Sequence, residues 1–108
     1  MKNIALFILI LIPTNVFSQT FSGKVMNDKT NETLPYANVG IRGKNIGGIA
    51  DGEGNFNIDI SKALPNDQIV VSYLGFEPKI YVVNELKPNQ VYEVKLLPKT
   101  IQLNFLSS

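Results

Sequence analysis

Apolar and polar residues alternate along several short segments of this chain, and residues 55–60, Asn-Phe-Asn-Ile-Asp-Ile, are the clearest case. Successive side chains of a β-strand point to opposite faces, so this period predicts strands with one buried and one solvated face. No segment shows helical periodicity. Seven such strands are predicted, at residues 21–26, 37–42, 46–50, 55–60, 69–74, 80–83 and 92–96. Seven strands within about 80 residues predict an all-β, antiparallel β-sandwich.

The composition of three segments predicts where they lie in their sheets. Residues 69–74 and 80–83 are apolar on both faces, which predicts two central strands. Two adjacent glycines interrupt residues 46–50, so we expect a bulge or a sheet edge there.

Turn-forming residues separate the predicted strands. Asp-Gly-Glu-Gly at residues 51–54 predicts a tight hairpin, because these residues tolerate positive φ. Leu-Gly-Phe at residues 74–76 predicts a second turn. Residues 61–64 are expected to form one helical turn that ends before Pro65, with Leu64 covering one end of the core.

The first eighteen residues have the pattern of a secretory signal peptide. A positive start is followed by an unbroken apolar run, Ile4 to Ile12, which Pro13 ends. Ser18 is a small residue before the expected cut, with the aliphatic Val16 two positions earlier. The run falls well short of the roughly 20 residues that span a membrane. We therefore predict export after cleavage at Ser18, to the periplasm, the outer membrane or the medium, with no stable membrane span afterwards. An uncleaved N-terminal anchor is the alternative.

The residue types that are missing restrict the possible chemistry. The chain has no Cys and no His, which excludes a thiolate nucleophile, a disulfide, a lipid-anchor cysteine and a Cys/His zinc site. Its ten basic and nine acidic residues become nine of each once Lys2 is removed with the leader. A neutral surface argues against binding to nucleic acid. We predict that the protein is not an enzyme and carries no cofactor.

Several motifs together resemble the carboxypeptidase-regulatory-like domain, a transthyretin-type (prealbumin-like, Ig-like) β-sandwich. The resemblance covers residues 20–97. The motifs that carry it are Ser22-Gly23-Lys24-Val25, Leu34-Pro35-Tyr36-Ala37-Asn38-Val39, Ile41-Arg42-Gly43, Gly47-Gly48, Ala50-Asp51-Gly52-Glu53-Gly54-Asn55-Phe56 and Ile69-Val70-Val71-Ser72-Tyr73-Leu74-Gly75-Phe76. It implies an accessory module, of the kind found beside metallocarboxypeptidase domains and as N-terminal extensions of TonB-dependent outer-membrane transporters of Bacteroidetes-type bacteria. No carboxypeptidase zinc ligand or catalytic group has a matching position here.

The motif residues are interpreted as structural. They are Gly23, Pro35, Gly43, Asp51, Gly52, Gly54, Phe56 and Gly75. The glycines are expected where the chain turns sharply, Pro35 at the entry to a strand, and Phe56 in the core opposite Val39 or Val71. Ala50 departs from the family, which usually has Thr or Ser there.

Oxygen ligands at alternate positions make Asp51, Glu53 and Asn55 weak candidates for a calcium site. The pattern of a calcium loop then fails, because Phe56 stands where Gly is required and Lys62 where Glu is required. Turn chemistry is therefore the favoured interpretation, and no metal site is predicted. Paired carboxylates are disfavoured as an acid and base pair because no substrate cleft is apparent. A Ser72–Lys79 pair is disfavoured because Ser72 lies inside a predicted central strand.

Exposed aromatic residues provide an alternative function, carbohydrate binding. The candidates are Tyr36, Tyr73, Phe76, Tyr81 and Tyr92. The favoured interpretation is that Tyr73 and Tyr92 are core residues whose hydroxyls reach the rim, since Trp, the strongest stacking residue, is absent. Phe76 is predicted to be the aromatic residue most exposed at a turn.

The last segment, residues 99–108, continues the alternation with Ile101, Leu103 and Phe105. It is predicted to be a tail or an extra edge strand that follows a domain at residues 19–98. Such a strand could pair with the sheet of another cell-envelope protein, with hairpin tips 51–54 and 75–77 and residues Phe76 and Tyr36 as further contacts. The alternative is a truncated N-terminal extension of a TonB-dependent receptor.

Overall fold

The computed structural model describes residues 19–100, so the predicted signal peptide lies outside the described residues. Seven strands follow one another along this part of the chain. They are β1 (Thr20–Asn27), β2 (Asn38–Ile41), β3 (Gly47–Ile49), β4 (Asn55–Asp59), β5 (Gln68–Ser72), β6 (Lys79–Val82) and β7 (Val91–Leu96). A single 3₁₀ turn, Val83–Glu85, lies between β6 and β7.

The strands form two sheets whose apolar faces share one core. One sheet has three strands in the order β4-β1-β7, and the other has four in the order β3-β2-β5-β6. This arrangement confirms the predicted all-β sandwich. The predicted alternation is also present: Phe56 and Ile58 of β4 are buried, while the residues on either side of them are exposed.

One strand pair departs from the predicted antiparallel arrangement. β1 and β7 run parallel, from Ser22 opposite Val91 to Asn27 opposite Leu96. The other four pairings are antiparallel. A parallel pair needs a long connection, and here the chain builds the whole second sheet between β1 and β7. Local sequence patterns do not contain this information.

Two predictions about strand position had different outcomes. β5 lies between β2 and β6, as predicted for a central strand. β6 is an edge strand instead, and Ile80 is 45 % exposed. β3 is the other edge of the same sheet, where the two glycines predicted one.

The predicted helical turn at residues 61–64 is absent, and the segment forms turns instead. The Asp67 side chain organises this loop, since its Oδ2 accepts the Leu64 amide at 2.8 Å and binds Lys44 Nζ at 2.6 Å. Leu64 points outward and is 58 % exposed, so the prediction that it covers the core is wrong.

Phe21 of β1 occupies the centre of the aromatic packing. Its ring is 1 % exposed and lies 5.0 Å from Phe56, 5.1 Å from Tyr81 and 5.3 Å from Tyr92, measured between ring centroids. Tyr81 belongs to the four-stranded sheet and the other rings to the three-stranded sheet. Phe21 therefore joins the two layers.

Replacing Phe21 by Ala should reduce the free energy of unfolding by about 3–5 kcal/mol, because it leaves a cavity between the sheets. That loss is comparable to the whole stability of a small domain. Val91→Ala, at a position that is 74 % exposed, is the control and should change stability by less than about 0.5 kcal/mol. Urea denaturation of both variants measures the difference, and equal losses would contradict the central role of Phe21.

Candidate functional site

The exposed residues of interest gather at the end of the sandwich toward which β1 and β7 run, called here the exit end. β2 begins and β5 ends there, with Asn38 opposite Ser72. Tyr36 lies two residues before Asn38, and Leu74 lies two residues after Ser72, so both belong to this end. They are 66 % and 95 % exposed.

The 51–54 hairpin forms a second part of the exit end and is stabilised by Asp51. The Asp51 Oδ1 accepts the amides of Glu53 and Asn55, each at 2.9 Å, and the Asp51 carbonyl accepts the Gly54 amide at 3.0 Å. Hydrogen bonds from the Asn55 and Glu53 amides lower the pKa of the Asp51 carboxyl. The carboxylate therefore acts as a cap for its own turn.

This geometry bears on the weak calcium candidates. Asp51, Glu53 and Asn55 are all exposed, and Asp51 is already bonded to the backbone of the turn. Among residues 19–100, no three acidic side chains lie close enough together to hold a metal ion. The arrangement found is the hairpin that turn chemistry favoured.

Tyr36 is fixed against this hairpin by its backbone and by its side chain. Its amide donates to the Asp51 carbonyl at 3.1 Å, and its φ of 62° is unusual for a residue with a side chain. A Cβ placed on Gly52 would lie 3.1 Å from the Tyr36 hydroxyl oxygen. The ring thus stands beside the turn with much of its surface in water.

The prediction that Phe76 is the exposed residue of its turn is wrong. Phe76 is half-buried, packs edge-to-face on Tyr73 at 5.6 Å and forms a bridge with Pro98. Leu74 occupies the exposed position instead. The sequence placed Leu74 in a strand because it ends an apolar run, but β5 stops at Ser72.

The remaining aromatic residues do not form a platform. Tyr81 and Tyr92 pack on Phe21, and burial, followed by the charge of Tyr92, raises the pKa of Tyr81. The Tyr92 hydroxyl accepts the Lys87 amide at 2.9 Å. The ring therefore packs inside while its hydroxyl reaches the rim, as expected of Tyr92 from the sequence. Among residues 19–100, Tyr36 is thus the one aromatic candidate with a largely exposed ring.

The structural motif residues lie in turns or in the core. Three glycines, Gly43, Gly54 and Gly75, have positive φ. Pro35 immediately precedes Tyr36, and Gly52 lies beside the hydroxyl end of the Tyr36 ring. Gly23 is buried in β1 and Phe56 in β4. Phe56 packs on the Phe21 ring. The disfavoured Ser72–Lys79 pair starts from opposite faces of the sheet, because Lys79 lies opposite Val71 rather than Ser72.

The chain leaves β7 along the β5–β6 loop. The Glu77 amide donates to the Leu97 carbonyl and the Lys99 amide donates to the Gly75 carbonyl, both at 2.8 Å. Residues 97–99 are thus anchored at the exit end, beside exposed Leu74. Ile101, Leu103 and Phe105 of the predicted pairing segment lie outside the described residues.

A family model for the CarboxypepD_reg-like domain matches residues 21–106, and the chain belongs to that family. The match confirms the resemblance stated from the motifs and includes most of the 99–108 segment.

The chain is also similar in sequence to part of a known receptor. The chain is 35 % identical over 71 residues to the TonB-dependent receptor SusC of Bacteroides thetaiotaomicron. The aligned region is 65 % of this chain and 7 % of the receptor. Such a relative indicates an outer-membrane or envelope context. Within residues 19–100, no helix is long and apolar enough to cross a membrane.

Gly54→Ala should destabilise the domain more than Gly43→Ala. Both glycines have φ near +80°, so both variants carry backbone strain of about 1 kcal/mol. A Cβ at Gly54 would also lie 2.7 Å from the Val25 carbonyl oxygen, whereas a Cβ at Gly43 meets nothing within 4 Å. Thermal unfolding of both variants gives the comparison, and equal melting temperatures would refute a clash at Gly54.

Asp51→Ala should reduce the acid sensitivity of the fold. Because the folded pKa of Asp51 is below its ordinary value of 3.8, its contribution to stability is complete above that pH. The contribution is lost as the pH falls from 3.8 through the lower folded pKa. Denaturation from pH 7 to pH 2 should show a smaller fall for Asp51→Ala than for the parent. Glu53→Gln, which removes a neighbouring carboxylate that accepts neither amide, is the control and should follow the parent curve.

Proposed function

We propose that this protein is a non-enzymatic, exported module of the cell envelope that binds another protein through the exit end and an adjacent strand edge. The observation that carries the proposal is the exposure of Leu74, at 95 %, next to the anchored segment 97–99 and at the same end as Tyr36. A leucine held almost entirely in water at a fixed turn gains most from being covered by a partner.

The neighbouring strand edges supply the second half of the contact. Edge strands carry backbone groups that can pair with an added strand, and β7 is the longest edge at six residues. It ends at the exit end, where Leu97 follows it and is 46 % exposed. β3, with three residues, offers a much shorter edge. Strand addition to β7 would bring a partner directly to Leu74.

A non-catalytic role is supported by the side chains available. The chain contains neither Cys nor His, and the family it belongs to is described as regulatory-like. Asp51 and Asp59 each accept amides of their own turns, at Glu53 and Asn55 for Asp51 and at Ser61 for Asp59. Carboxylates bound in this way are poorly placed to act as an acid and base pair.

The envelope location rests on two further observations. The pattern of residues 1–18 predicts export, and the relative with 35 % identity is a TonB-dependent receptor. A second candidate function follows from that relative, namely that this module serves a TonB-dependent outer-membrane receptor. Its binding partner would then be a receptor component rather than an unrelated envelope protein.

Site-specific photocrosslinking in the producing cells tests the proposed surface. A photoreactive side chain at Leu97, which is 46 % exposed at the exit end, should give one discrete crosslinked protein in the envelope fraction. Leu74→Asp in the same chain should reduce the yield severalfold, because it places a charge in the covered contact. Mass spectrometry of the product distinguishes a receptor component from another envelope protein.

Leu64→Asp is the matched control, since Leu64 is an exposed leucine that follows β4 at the opposite end of the sandwich. It should leave the crosslink at Leu97 unchanged. Equal losses from both substitutions, or no crosslink at all from Leu97, would count against the exit end. Deleting residues 101–108 separately tests the tail: an undiminished crosslink would remove the tail from the contact.

A further inference from the structure

The first and last strands of the described chain are neighbours that run in the same direction. β1 begins at Thr20, β7 ends at Leu96, and six residue pairs join them. The chain therefore enters at the end where Thr20 lies opposite Asp59 and leaves at the exit end. Thr20 and Leu96 thus lie at opposite ends of the sandwich.

This arrangement determines how a pull between the two ends acts on the fold. Tension draws β1 toward its own beginning and β7 toward its own end. In a parallel pair those movements slide one strand along the other, so the inter-strand hydrogen bonds are loaded together. If both strands were pulled from the same end, the bonds would instead break one after another. Resistance to forced unfolding is governed by the barrier to unfolding, and simultaneous rupture raises that barrier.

The contacts around the β1–β7 pair oppose sliding. Val25, Val94 and Leu96 are 0–1 % exposed, so movement along the strand would drag buried side chains through the core. The backbones are also closely fitted, since a Cβ at Gly23 would lie 2.2 Å from the Tyr92 carbonyl oxygen. Beyond the strand, the Asp28 amide donates to the Leu96 carbonyl at 2.8 Å and lengthens the paired region.

We propose that the parallel β1–β7 pair makes this domain resistant to unfolding by force applied between its entry end, at Thr20, and its exit end. The inference rests on strand order and direction alone. It is independent of the binding surface proposed above, and either can fail without the other.

Single-molecule pulling on the purified chain tests this resistance directly. Because the chain has no Cys, two introduced cysteines define the direction of force without competing attachment sites. Thr20→Cys with Lys99→Cys loads β1 and β7 by sliding. Lys29→Cys with Lys99→Cys pulls both strands from the exit end. All three positions are exposed. We expect a severalfold higher unfolding force for the first pair at the same loading rate.

A matched pair of core variants in the Thr20–Lys99 geometry identifies the strands that bear the load. Val94 in β7 and Val71 in β5 are both 0 % exposed, so Val→Ala at either should lower stability in urea similarly. Val94→Ala should reduce the unfolding force clearly more than Val71→Ala. Equal forces in the two pulling directions would overturn the proposal, and so would equal effects of the two variants.

Discussion

The contact on which this sandwich most depends is the packing of Phe21 against rings from both sheets. Its strand, β1, is the centre of the three-stranded sheet and is bonded to β4 on one side and β7 on the other. Phe21 then adds the contact to Tyr81 across the core. Phe21 thus helps to hold the three-stranded sheet against the four-stranded sheet. Its strand, β1, joins the other two strands of the three-stranded sheet.

The central place of β1 also decides what each end of the molecule contains. Because β7 returns parallel to β1, the two strands deliver their chain to the same end, where the 51–54 hairpin and Leu74 also lie. The loop organised by Asp67 and the 3₁₀ turn after β6 are left at the other end. The proposed binding surface and the proposed resistance to force therefore arise from one feature of the topology.

Features that depend only on neighbouring residues, such as strand faces and tight turns, were predictable from the sequence. The alternation in residues 55–60 predicted the buried and exposed faces of β4, and the Asp-Gly-Glu-Gly turn predicted the hairpin at the exit end. The parallel direction of β7 was not predictable, since it depends on pairing between residues about seventy positions apart. The edge position of β6 was not predictable for the same reason. Its apolar composition predicted a central strand, but the number of strands that pair with it is decided by the topology.

The candidate site was predictable in part for the same reason. Tyr36 and the hairpin were identified because turn chemistry is local, whereas Phe76 was preferred to Leu74. What separates those two is the path of the chain after β7, which covers Phe76 with Pro98 and leaves Leu74 free in water. A contact between positions 76 and 98 has no signature in either segment alone.

The polar side chains of the described residues support the proposed binding role over a catalytic one. Asn27, Asp51, Asp59, Asp67 and Tyr92 each accept a backbone amide and so serve the turns of the fold. Groups used in this way stabilise the turns in which they lie. What residues 19–100 still offer to other molecules is mainly strand edges and exposed apolar side chains, which are the means by which one protein recognises another.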